Sequence, residues 1–400
     1  MRCGRIRKGL SAALWAAILG AWLMWTADAD AIPAFARKYR LSCSTCHAPV
    51  PRLKPYGDDF AANGFKLEDK EPVRAFFDTG DELLTLQREL PLAIRFDGYA
   101  SLQSKKLGRA SDFQWPYYLK ILSGGQVAHN VGYYLYFLMN ERGEIAGIED
   151  AYLYFNNLLG ADLDILVGQF QVSDPLFKRE LRITLEDYQI YKVKVGPTPS
   201  DLTYDRGITV AYGAPFGLDL VLEVVNGNGI GPAETARAFD SDNKKNFMLR
   251  VSQSIGPLRL GGFGYRGEAA VRDSVNAVNR FHYLGIDATA DVMDKLQLNT
   301  QFLVRRDDNP LFLASGAERV TTKGGFVEAI WAIRGPAGRP FLTFLYNWVD
   351  PPSGFSELKY RSATVNLSYL LRRNLRLAGE VTYDLEAKVT RAAVGFVSGF

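Results

Sequence analysis

One short segment carries chemistry by itself: Cys43-Ser44-Thr45-Cys46-His47. Two thiols separated by two residues, followed at once by an imidazole, have the spacing of covalent c-type haem attachment. The thiols lie close enough to form thioethers to both vinyl groups of one porphyrin, and His47 then falls beside the iron as an axial ligand. Three other chemistries use part of this pattern. A disulfide between Cys43 and Cys46 has no need of His47. A thioredoxin-like redox pair calls for a βαβ pattern around it, which the flanking residues lack. A zinc site wants four ligands, and the only other cysteine is Cys3, at the extreme N-terminus. The iron's other axial ligand is not local, because residues 48–90 hold neither His nor Met. His129, His282, Met139, Met248 and Met293 are the side chains that remain, with Lys54, the amine of Ile32, or water.

The elements around the motif begin with a leader. A basic start (Arg2, Arg5, Arg7, Lys8) precedes an apolar run over 10–25 and then Ala27-Asp28-Ala29-Asp30-Ala31, a small-x-small cleavage site. Residues 1–31 read as a signal peptide cut after Ala31, with a retained membrane anchor as the alternative. Either way the rest is exported. No later stretch reaches the ~18 uncharged apolar residues of a spanning helix.

The chain of 400 residues has 47 basic and 44 acidic side chains, a formal charge of +3. Without 1–31 the balance is 43 to 42, or +1. Nucleic acid is thereby excluded as a partner, since it demands a basic face. Selective anion uptake through a ladder of Lys or Arg gets no support either. At 23% charged the chain is too polar for a bundle of membrane helices, and its 24 Phe, 20 Tyr and 6 Trp exclude disorder.

From about residue 91 the pattern becomes short alternating runs split by Gly, Pro, Asn and Asp. In 295–305 (KLQLNTQFLVR), Leu296, Leu298, Thr300, Phe302 and Val304 share one side; Lys295, Gln297, Asn299, Gln301 and Leu303 share the other. An apolar face backed by a polar one, repeated along the chain, predicts an all-β transmembrane antiparallel barrel with a wet lumen. Sixteen runs can be placed: 91–103, 115–126, 131–140, 148–156, 163–171, 206–213, 217–226, 246–255, 258–266, 281–291, 294–304, 322–333, 340–349, 360–371, 375–385 and 390–400. An even count puts both ends on one side, with short turns there and long connections (227–245, 267–280, 305–321, 350–359) opposite. The terminal Phe400 alternates with Phe396, Val394 and Ala392, like the assembly signal of outer-membrane proteins. A soluble propeller would show a blade-length repeat, and none is present.

Three segments follow: signal peptide 1–31, a small, mostly helical haem segment with linker 32–90, and a porin-like barrel 91–400. The longest connection, 172–205, either folds into the lumen and lines it with Lys178, Arg179, Glu180, Arg182, Glu186 and Asp187, or stays on the surface. A third form is an extra hairpin through 189–195, which would make eighteen strands. Among the remote iron ligands His129 ranks first, because it falls in the turn between the second and third runs, on the haem side. Asp240, Asp242, Asp307 and Asp308 fall in predicted external loops.

The start of the exported chain, Ile32-Pro33-Ala34-Phe35-Ala36-Arg37-Lys38-Tyr39 and then Cys43–His47, resembles the fused outer-membrane cytochrome–porins. So do the following Pro51, Leu53, Gly57, Phe60, Asn63, Gly64 and Phe65. The resemblance covers about 32–66; over the barrel it is one of architecture. It implies one haem c joined to a barrel in the cell outer membrane, the haem segment lying at the periplasmic side or inside the barrel. It further implies an electron conduit. The best-known members are iron oxidases that take electrons from extracellular ferrous iron and pass them to a periplasmic cytochrome, an iron:cytochrome c oxidoreductase activity. The alternative is a diffusive porin whose haem segment regulates or docks.

Overall fold

Leu296–Asp307 shows how the chain is built. Leu298 and Phe302 are exposed, while Asn299 and Gln301 are buried. Polar inside and apolar outside is the reverse of a water-soluble sheet, and it is what a strand between lipid and lumen requires. Tyr360–Arg372 repeats it, with Val365, Leu367 and Tyr369 outward and Thr364, Asn366 and Ser368 inward. The structure is a computed structural model that describes residues 34–67, 76–105, 108–233, 237–240, 242, 244–270, 277–293 and 295–400. The signal-peptide segment 1–31 and Ile32 lie outside the described residues.

Sixteen strands close into one barrel. They are β1 Leu92–Lys105, β2 Gly108–Ala128, β3 Val131–Glu141, β4 Gly147–Phe155, β5 Leu163–Gln171, β6 Tyr204–Gly213, β7 Leu218–Val225 and β8 Asn246–Ile255. There follow β9 Leu258–Ala270, β10 Val278–Val292, β11 Leu296–Asp307, β12 Val320–Ala332, β13 Pro340–Asp350, β14 Tyr360–Arg372, β15 Leu375–Asp384 and β16 Val389–Gly399. Each pairs antiparallel with the next, and β16 closes on β1. Closure runs to the last residue: Phe400 N donates to Ile94 O at 2.9 Å, and Ile94 N to Phe400 O at 2.7 Å. All sixteen predicted runs are strands.

The ends differ from expectation where the sequence changes composition before the strand stops. β11 continues to Asp307, so this carboxylate is not in an external loop. It is fully buried and accepts from Arg305 Nε at 2.8 Å. The connection after β5 adds no hairpin: it holds two short 3-10 turns, Arg179–Leu181 and Gln189–Lys192.

That connection fills the lumen. Tyr188, Tyr191, Val195 and Leu202 have zero exposure and pack with wall residues such as Met248, Leu303 and Phe326. Tyr188 stacks on Phe326 with centroids 4.1 Å apart. The polar inner face, expected to meet water, instead satisfies the plug's backbone. Glu380 accepts from Leu185 N at 2.7 Å and Glu186 N at 3.0 Å. Arg376 donates to Ile183 O, Asn347 to Asp187 O, and Arg305 to Val193 O and Ser200 O. The plug's charges are spent in ion pairs rather than lining a channel, among them Arg179 with Asp187, Lys120 with Glu180 and Arg391 with Glu186.

Arg305 therefore carries both a wall carboxylate and two plug carbonyls. Arg305→Met leaves the buried Asp307 without its guanidinium and, among the described residues, with only the Asn279 amide donating to it, a change that costs ~3–5 kcal/mol when one partner of a buried pair goes. The expected result is a lower urea midpoint for the detergent-folded barrel together with transient conductance openings. An unchanged midpoint and a silent bilayer trace would show that the plug does not hang on this residue.

Candidate haem site at the mouth of the barrel

Among the described residues three helices precede the barrel: α1 Ala34–Tyr39, α2 Cys43–Cys46 and α3 Pro55–Ala62. Two of them start where the sequence supplies a reason. Ser42 caps α2, its hydroxyl accepting from Ser44 N, and Pro55 opens α3 where no N–H is needed. One apolar cluster knits them: Phe35 lies against Phe60 at 5.2 Å and stacks on Phe65 at 5.2 Å, and Tyr39 meets Phe60 edge-on at 5.5 Å. Phe65 then stacks on Tyr134 of β3 at 5.0 Å, which joins the cluster to the barrel wall.

Polar contacts spread around the rim. Arg37 donates to Leu92 O, Lys66 to Asn130 Oδ1, and Asn156 to Ala62 O. Arg52 reaches across to Gln297 Oε1 at 2.5 Å. These partners lie at the starts of β1 and β11, in the β2–β3 turn and just after β4, all on the side of the termini. The helical segment thus covers that mouth.

Beneath it lies a cavity of about 320 Å³, inside the ~300–1,000 Å³ range of small-molecule and cofactor sites. Cys43, Cys46 and His47 form part of one wall. Another part belongs to the barrel and plug: Arg95 of β1, Lys120 of β2, Tyr134 and Tyr136 of β3, Tyr152 of β4, and Lys178. The two thiols are free. Burial pushes both above the usual thiol range, so they stand as neutral thiols.

His47 is oriented by its own loop. Ala48 N donates to Arg52 O, folding the chain back so that Nδ1 lies 3.0 Å from Pro51 O and 3.3 Å from Arg52 O. Carbonyls only accept, so Nδ1 carries the proton and Nε2 keeps its lone pair. A backbone carbonyl behind the ring is how metal-binding histidines are held. Burial lowers the imidazole below its ordinary value, against the opposing pull of the Pro51 and Arg52 carbonyls, which keeps the ring neutral. Free thiols three positions apart, a neutral imidazole with an available nitrogen, and an apolar cavity against all three fit haem c.

Gly57 sets how closely α3 packs on the motif. A Cβ there would stand 2.5 Å from Cys46 O and 3.0 Å from Leu53 Cδ2. Gly57→Ala must displace backbone, an overpacking cost of ~1–3 kcal/mol. The expected result is faster proteolysis of the helical segment and lower haem content with an intact barrel. Equal protease half-lives would show that the contact is slack.

The remaining predicted residues scatter. His129 lies on the haem side of the barrel, as expected, but is exposed in the β2–β3 turn and does not line the cavity. His282 lies on the outward face of β10 with Leu284 and Ile286. Met139 is exposed on β3, Met293 is 84% exposed in a turn, and Met248 is buried in the lumen core. Lys54 donates to Ser44 O. Sequence reasoning missed the barrel-side wall, because Lys120, Tyr134 and Tyr152 look like any lumen-facing residues until the helices sit above them.

Beyond the cavity, rings continue into the lumen. The Lys120 ammonium lies over both Tyr136 and Tyr118, at 4.9 and 4.4 Å from the centroids. Tyr117 meets Tyr118 at 4.7 Å and Tyr99 at 5.3 Å.

The fold is that of the sixteen-stranded porins, and the chain is built as an outer-membrane barrel embedded in lipid. Three solved structures show the likeness. The anion-selective porin from Comamonas acidovorans has a TM-score of 0.55 at 11% identity, covering 78% of this chain and 99% of that one. OmpF of Salmonella typhi, solved with daunomycin, has 0.56 at 11%, covering 80% and 98%. OprB of Pseudomonas putida has 0.53 at 10%, covering 77% and 94%. The chain matches no protein-family model and no curated protein sequence.

Proposed function

We propose that this outer-membrane barrel is an electron conduit. One haem c, joined through Cys43 and Cys46 and ligated by His47, occupies the cavity under the helical segment. The observation that carries the reading is the meeting of that triad with an apolar cavity above a plugged lumen. A bilayer insulates against electrons, and a closed barrel crosses it with every backbone group paired. A lumen packed with Tyr188, Tyr191 and Phe326 passes solutes poorly, while the haem's buried surroundings and axial ligand tune its potential.

By the resemblance of 32–66, the donor is extracellular ferrous iron and the acceptor a periplasmic cytochrome. A haem held by Cys43, Cys46 and His47 would supply one-electron redox chemistry between that donor and that acceptor, an iron:cytochrome c oxidoreductase activity. The test is reduction of the oxidised, haem-loaded protein by ferrous iron, followed at the haem bands. A haem that ferrous iron leaves oxidised at every accessible pH would remove iron as donor.

The likeness to porins supports a second reading more directly than the first: a diffusive porin with a docking or regulatory haem segment. Planar-bilayer conductance separates them. A conduit of this build is nearly silent, and a porin is not.

A further inference from the structure

We infer that no histidine or methionine of the exported chain takes the iron's sixth position, so that it stays open to solvent and to small exogenous ligands. The inference rests on the haem reading above and concerns what lines the cavity besides His47. The chain has three His and five Met, and six of these eight lie among the described residues. Met1 and Met24 fall in the predicted leader. His129 is in an exposed turn, and Met293, at 84% exposure, is in another. His282 and Met139 stand on outward faces, the former in line with exposed Leu284 and Ile286. Met248 has zero exposure and is packed in the lumen core. Among the described residues lining the cavity, His47 is the one histidine, and none is a methionine.

The nitrogens on the barrel side are engaged as cations. Arg95 pairs with Asp97 at 2.6 Å, Lys120 with Glu180 at 2.5 Å, and Lys178 with Asp174 at 2.5 Å. A protonated amine has no lone pair for a metal. The Tyr136 hydroxyl donates a hydrogen bond to Glu180 at 2.9 Å. The phenols of Tyr134 and Tyr152 also line the cavity; a neutral phenol is a weak ligand but a ready hydrogen-bond donor. The wall is thus made to receive a small polar or diatomic ligand such as water, carbon monoxide or cyanide.

The test uses the full chain matured with haem. Intact mass first shows whether one haem is covalently attached. The ferric spectrum and carbon monoxide binding to the ferrous form are then recorded for the native chain and for His129→Ala and Met248→Leu. The expected result is a high-spin ferric spectrum, carbon monoxide binding without a displaced protein ligand, and no change in either variant. A low-spin spectrum that turns high-spin in one variant would assign that residue and overturn the inference. A low-spin spectrum kept in both, with carbon monoxide excluded, would overturn it in favour of an amine ligand. A chain without covalent haem would overturn the haem reading and this inference together, and the mass alone distinguishes that case.

Discussion

Replacing Cys43 and Cys46 together with Ala should take covalent haem from one per chain to none, while the barrel still folds. The two thiols are partly buried beside the cavity and have no disulfide to lose. The barrel's closure runs through sixteen strand pairs that do not include the motif. Haem staining after denaturing electrophoresis reads the loss, and the heat-dependent shift in mobility reads the fold. His47→Ala should behave differently: the thioethers survive, so haem content holds while the spectrum changes, because the axial nitrogen set by Pro51 and Arg52 is gone. Haem that stays attached in the double Ala variant would end the attachment reading. A barrel that fails to form in it would show that the helical segment is needed for closure.

The second large effect belongs to the plug. Val172 N donates to Thr203 O at 2.6 Å, so the ends of the connection already stand side by side like the ends of a hairpin. Residues 173–202 can therefore be exchanged for a two-residue Asn-Gly turn without stretching β5 or β6. The excision removes Tyr188, Tyr191 and Leu202 from the lumen and returns Glu380, Arg376 and Arg305 to water. Barrels of sixteen strands otherwise leave an aqueous channel, so single-channel conductance should rise roughly tenfold or more. The native chain should be nearly silent under the same voltage. Equal, porin-like conductance before and after excision would mean that the plug is not closed in the membrane, and the diffusive reading would then stand.

Much of this molecule was legible locally. Strand alternation has a period of two and needs only neighbours along the chain, so β8, β11 and β14 could be read from composition. The motif was equally legible, because five consecutive residues hold its chemistry. The strand ends were less so: β9 runs to Ala270 and β11 to Asp307, since pairing with the next strand carries them past the change in composition.

Period-two alternation along the chain was enough to specify the barrel and its sixteen strands. That a folded segment fills the lumen depends on contacts between distant parts of the chain. A polar inner face reads the same whether it meets water or a folded segment. Asn347 and Glu380 hold Asp187 O and the Leu185 and Glu186 amides, over separations of 160 or more residues. The barrel side of the cavity was hidden for the same reason. Tyr134, Tyr152 and Lys120 acquire their role only when closure of the barrel brings β1 to β4 beneath helices that carry no sequence mark of where they will dock.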